Sequence, residues 1–186
     1  MLGAGIPGAS SGLKLELNVT DRNVDIIREG YDLAIRMGSL RDTGLIGRKL
    51  ADLHWILVAS PLYLAKRGRP ETIEDLRSHS CVRYLTGGRP WPFEFASGES
   101  IVPDGQFDTD DSGSIRHAAL NSAGIAYQLR MTVTDYIKDG RLVEVLPHLA
   151  MPVLPAYALH AFGRQLPIRG RLFIDFMVEK LIGLDL

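Results

Sequence analysis

The sequence predicts an α/β fold in two lobes, built on a mostly parallel sheet. Three observations carry this. Apolar stretches with strand period alternate with stretches of helical period along most of the chain. A run of short strand candidates, set apart by Gly and Pro, interrupts that alternation in the middle and suggests an inserted lobe. The chain has 186 residues, 46% hydrophobic and 23% charged, enough for one core or two small ones. The expected organisation is a flexible lead-in at 1–12, a first subdomain at 13–60 and 156–186, and a second at 61–155.

Within 1–12, Gly3-x-Gly5-x-x-Gly8 has dinucleotide spacing, but no strand feeds it and Pro7 sits inside it, so a loose tail is the better reading. Leu13, Leu15, Leu17 and Val19 alternate with polar residues as a strand. Thr20 or Asp21 can cap a helix running to Glu29, stopped by Gly30. Asp32–Met37 reads as a buried strand, followed by two more near Leu45–Leu50 and His54–Ala59. Pro61 opens a short helix ending near Gly68, and Glu71–Ser78 is another helical turn. Short strands are expected at Cys81–Leu85, Trp91–Phe95, Ser100–Val102 and Gln106–Asp108. Asp111 caps a helix with Ile115, Ala118, Ala119 and Ser122 on one face and Gly124 at its end. Ile125–Leu129 is a strand, Met131–Lys138 a helix closed by Gly140, and Leu142–Leu146 a strand. Tyr157–Phe162 is a further strand. After Pro167 a last helix carries Leu172, Phe173, Phe176, Met177 and Leu181 as one stripe.

Composition excludes several functions. Lys+Arg is 21 and Asp+Glu 22, a net charge of −1, with no basic surplus for a free-standing nucleic-acid binder. The single cysteine, Cys81, cannot form an internal disulfide. No apolar run approaches a membrane span and no signal peptide is visible. A cytoplasmic protein without membrane attachment is expected.

The five histidines show no tight ligand spacing, and His79 with Cys81 supplies only two ligands, so no metal and no cofactor are expected. Asp108–Gly113 resembles a calcium loop, but its twelfth position is Ala119 and not Glu. It reads better as a helix start, where N–H groups at Ser112–Ser114 hold an anion or are satisfied by the acids present. Trp91, Phe93 and Phe95 alternate on one strand face, a core face by default. No nucleophile–base pair or phosphate loop is present, so no catalytic residue is assigned and an enzyme is not expected.

Four stretches resemble the effector-binding domain of LysR-type transcriptional regulators. They are Leu15–Arg22 with Val24–Gly38; Leu57–Leu64 with Gly68–Cys81; Ala118–Ala126 with Asp139–Pro147; and Arg171–Leu181. The resemblance covers about 13–182. It implies two Rossmann-like subdomains of the type 2 periplasmic-binding-protein-like kind, hinged about a cleft that takes a small-molecule effector. It also implies a homodimer or higher oligomer, with DNA contacted only through a winged helix-turn-helix outside this chain. The match begins at what would be the domain's second strand. The first strand and helix are therefore expected to be missing, in a truncated gene product, unless the tail pairs unusually.

Thr20 matches a family position that gives the effector a hydroxyl. With it, Arg36 as counter-charge, Ser60 at the first crossing, Asp111 and Ser112 at a helix start, and Gln128, in the stretch Gln128-Leu129-Arg130 where relatives often carry a proline, are the expected effector contacts. An anionic metabolite such as an aromatic carboxylate fits them. A stand-alone solute-binding protein of the same cleft fold is the alternative.

Overall fold

The computed structural model describes residues 15–20, 24–38, 40, 45–163, 165–182 and 184. The lead-in, its glycine spacing, Leu13 and the helix start at Asp21 and Arg22 lie outside the described residues. Packing divides the chain into two units, Met1–Ala51 with Ala156–Gly183, and Asp52–Pro155 with Leu184–Leu186.

In the first unit, β1 (Ala34–Met37) pairs antiparallel with β10 (Val153–His160), which neighbours β2 (Ile46–Ala59). Helix α4 (Ile168–Ile182) buries Ile174 and Leu181. Arg169 meets Asp32 at 3.0 Å, and Arg48 pairs with Asp175.

Several expectations change here. Leu15, Leu17 and Val19 are exposed and Leu15–Thr20 joins no strand, because alternation becomes a strand only where a neighbour offers a ladder. Of the expected helix to Glu29, the described residues form one turn, capped by Asp25. Its Oδ1 accepts from Arg28 N at 3.0 Å, Glu29 Oε1 accepts from Asp25 N at 3.0 Å, and Gly30 ends the turn at φ 74°. The two strands expected between Leu45 and Ala59 are one strand, β2, of 14 residues. The stripe on the last helix turns inward at Ile174, and Leu172 faces solvent.

The second unit contains the latter part of β2, β3 (Cys81–Thr86), β4 (Arg89–Pro90), β7 (Phe107–Thr109), β8 (Ile125–Leu129) and β9 (Val143–Val145). A separate hairpin joins β5 (Phe93–Glu94) and β6 (Ser100–Ile101). Helices α1 (Pro61–Arg67), α2 (Ser112–Leu120) and α3 (Arg130–Lys138) and a 3₁₀ turn at Glu74–Ser78 complete it. β3 runs parallel to β7 and β8, whereas β2 runs antiparallel to β8 and β9. The sheet is therefore mixed, not mostly parallel.

Side chains on β2 alternate between two cores. Leu57 and Ala59 pack with Tyr63, Leu76, Phe93 and Tyr127. Ile56 and Val58 pack with Ile115, Ala119 and Val133 from α2 and α3. Both faces are covered, so the strand reads as an unbroken apolar run. Phe93 and Phe95 enter the first core, but Trp91 is 41% exposed because the strand there is only two residues long. Helix α2 ends at Leu120, before Gly124, and Ser122 takes the left-handed conformation at φ 64°.

Candidate functional site

β7, β3 and β8 are parallel, so their C-terminal ends, Thr109, Thr86 and Leu129, share one edge of the second unit's sheet. α2 follows β7 and α3 follows β8, which brings both helix starts to that edge. Open α/β sheets bind ligands at such an edge. At α2, Asp111 is the cap. Its Oδ2 accepts from Ser114 N, and hydrogen bonds from Ser114's hydroxyl and N–H hold its carboxyl below the usual carboxylate range. The acid already present therefore satisfies this helix start. At α3, the capping residue is Leu129, whose side chain makes no capping bond.

Between the two starts stands Gln128, buried to 2% exposure at the end of the row that continues Ala126 on the α2–α3 face. Its Oε1 accepts from Ser112 Oγ at 3.2 Å and lies 3.2 Å from Thr132 Oγ1, whose one proton is shared with Leu129 O at 2.7 Å. Those bonds occupy the carboxamide oxygen and leave the amide nitrogen as the donor end of the group. Beside it Arg130 Nη2 reaches both carboxylate oxygens of Glu144, at 3.0 and 3.1 Å.

Ser60 lies elsewhere. It caps α1, accepting from Tyr63 N at 3.1 Å, and its Oγ meets Ser122 Oγ at 2.8 Å. Gln128 is paired with Ile56 across the sheet, and Ser60 follows four residues of strand later, on the order of 13 Å. The chain passes from the first unit to the second at Ala51–Asp52, so Ser60 does not stand at that passage. The structure thus joins Asp111, Ser112 and Gln128 at one edge and places Ser60 at the opposite one. Replacing Ser60 by Ala is expected to lower unfolding free energy by about 1–2 kcal/mol, through the lost cap and hydroxyl pair. Denaturant titration checks it.

In the first unit, Thr20 is exposed on the extended segment, and Arg36 is half-buried on β1 opposite Tyr157. Sequence reasoning missed Thr132, the Arg130–Glu144 pair and the strained Ser122. One signal was available for Gln128's partners: a polar residue ending the apolar run Ile125–Tyr127 must find hydroxyls nearby.

The residues that form this edge fall inside a longer match. Residues 9–182 fit the family model described as the LysR substrate binding domain. The chain belongs to the LysR substrate-binding domain family. It is 36% identical over 171 residues to the uncharacterized HTH-type transcriptional regulator YhjC of Escherichia coli K12, covering 89% of this chain and 57% of that protein. It is 30% identical over 172 residues to the HTH-type transcriptional regulator CrgA of Neisseria meningitidis serogroup C, covering 91% and 58%. This LysR-type domain spans just over half the length of the curated relatives it matches.

Solved structures agree. That of CrgA, a LysR-type transcriptional regulator from Neisseria meningitidis, superposes with a TM-score of 0.76 at 30% identity, covering 84% of this chain and 54% of that one. The CrgA regulatory domain gives 0.73 at 31% identity, covering 83% and 78%. The fold is that of LysR regulatory domains, the type 2 periplasmic-binding-protein-like class expected from the resemblance. Among the described residues, no helix is long and apolar enough to cross a membrane, and no three His, Cys, Asp or Glu side chains gather as metal ligands. Burial pushes the Cys81 thiol up to about 12, which makes it an inert core residue at neutral pH.

Proposed function

We propose that this LysR-type domain senses a small anionic metabolite and reports it to a DNA-binding domain of the same regulator, in the cytoplasm and as a homodimer or higher oligomer. It acts by binding, without catalysis. The observation that supports this best is Gln128, a buried carboxamide set between two helix starts at the strand ends. The start of α3 has no side-chain cap, so its first N–H groups favour a ligand carboxylate. Gln128 and Ser112 add polar contacts, and the Asp111 carboxylate orients α2 instead of meeting the ligand. By the family resemblance, Thr20 and Arg36 are also proposed as effector contacts, a hydroxyl and a cation. Self-association is supported by exposed apolar side chains of the first unit, among them Ile27, Ile35, Met37, Ile168 and Leu172.

The test is a thermal-shift screen of aromatic and aliphatic carboxylates beside their uncharged amides, followed by calorimetry. A carboxylate is expected to raise the melting temperature where its amide does not. Stabilisation by amides and carboxylates alike, or by neither, overturns the anion-sensing reading.

A further inference from the structure

A cavity of about 480 Å³ lies within the second unit at the sheet end that holds Ser60, away from Gln128. The start of α1, the end of α2 and the turn ahead of β9 enclose it. Ser60 and Ser122 meet there, with 2.8 Å between their hydroxyl oxygens. Two hydroxyls carry two protons, and one of these lies between the oxygens. Ser60 Oγ also accepts from Tyr63 N at 3.1 Å. Whichever serine donates to the other, one hydroxyl proton is left without an acceptor among the described residues. The pair is a net donor, and its Ser60 member is buried. Ser122 reaches Ser60 from a left-handed backbone, φ 64°, which a serine adopts only at a cost.

The end of α2 does not call for that proton. His117 O accepts from Asn121 N and Nδ2, Ala118 O from Ala123 N and Ala119 O from Ser122 N. Arg141 brings a guanidinium to the same cavity. Its central carbon lies 4.4 Å from the centroid of the Tyr136 ring, which braces it, and Nη2 donates to Asp139 Oδ2 at 2.8 Å. The rest of the planar fork has no partner among the described residues. His117 adds an imidazole from α2, and Pro61, Leu62 and Leu120 add an apolar wall.

We propose that this cavity is a second ligand site, for a phosphate group that is free or carried by a small organic molecule whose body rests on Pro61, Leu62 and Leu120. A hydroxyl proton, a guanidinium fork and an imidazole come to it from three segments of the chain. A tetrahedral oxyanion accepts hydrogen bonds in several directions at once and so engages all three, where a planar carboxylate is filled by the fork alone. The site is independent of the anion-sensing reading, because it lies at the other end of the sheet from Gln128 and takes a different anion.

The experiment is an amide NMR titration of this chain, at fixed ionic strength, with sodium phosphate, phenyl phosphate, phenylacetate and phenol. Amides of residues 60–64, 117–123 and 141 should shift saturably with phosphate or phenyl phosphate, and not with phenylacetate or phenol. Tighter binding of phenyl phosphate assigns the site to a phosphorylated small molecule, and phosphate binding as tightly or more so assigns it to the free ion. Arg141→Gln, a change at an exposed side chain, should weaken binding about tenfold or more. The double variant Ser60→Ala with Ser122→Gly removes both hydroxyl protons, while the glycine relieves the left-handed backbone, and should weaken binding likewise. Gln128→Leu should bind phosphate as the wild type does. Absence of saturable shifts with both phosphates, equal shifts with phenylacetate or phenol, wild-type affinity in either cavity variant, or loss of phosphate binding in Gln128→Leu overturns the site. Should the double variant fail to fold, Arg141→Gln decides.

Discussion

Gln128→Leu is expected to weaken binding of the carboxylate found by screening at least tenfold while leaving the domain folded. The leucine has nearly the volume of the carboxamide, so the row on the α2–α3 face stays filled. Thr132 Oγ1 keeps Leu129 O at 2.7 Å as an acceptor, and Ser112, exposed at the helix start, turns to water. The cost to stability is therefore about 1 kcal/mol, whereas the ligand loses a desolvated polar contact, and each tenfold in affinity is about 1.4 kcal/mol. Ser60→Ala should show the reverse pattern, a loss of stability with unchanged affinity, because Ser60 is at the opposite edge of the sheet. Calorimetry and denaturant titration on both variants read the two effects apart. Equal affinities for Gln128→Leu and wild type would place the site elsewhere.

A large effect on stability is expected at Gly124. A Cβ built there meets Ser80 O at 2.3 Å and Ser80 C at 2.8 Å. Both are backbone atoms, and Ser80 O is held by Ile125 N and Tyr63 Oη. Neither strand can withdraw without breaking the parallel pairing of Cys81 with Ile125. Gly124→Ala should therefore lower unfolding free energy by about 3 kcal/mol or more. Gly140→Ala is the comparison. Its Cβ meets nothing within 4 Å, and only its φ of 70° opposes the change, a penalty of about 1–2 kcal/mol. Urea melts of the two variants separate lack of space from backbone conformation, and similar losses would count against the collision at Gly124.

Where a local signal had only one solution, sequence reasoning met the structure. Ser60-Pro61 opens α1 as a capped helix with proline at its first position, and Asp111 caps α2 through Ser114 N. The apolar run near His54–Ala59, expected as a strand, is the latter part of β2, and the structure covers it on both faces. Two strands between Leu45 and Ala59 were expected in place of one, because Ala51-Asp52 looks like a break when the neighbours of that strand are unknown. Leu15–Val19 has the pattern of a strand but no partner among the described residues, and pairing is a property of two segments.

The candidate site divides in the same way. The residue types were visible in the chain: a capping acid, a serine after it, a glutamine closing an apolar strand. The resemblance carried by four ordered stretches also named the family that the match over residues 9–182 shows. Which of those residues meet was decided by strand direction. β2 runs against β8, so Ser60 is carried to the end of the sheet away from Gln128, while β7 runs with β8, so Ser112 comes within hydrogen-bond reach of it. A one-dimensional pattern carries the period and the caps of each element, since these depend on residues three or four apart. It does not carry strand order or direction, which follow from how apolar faces distant in sequence are buried together.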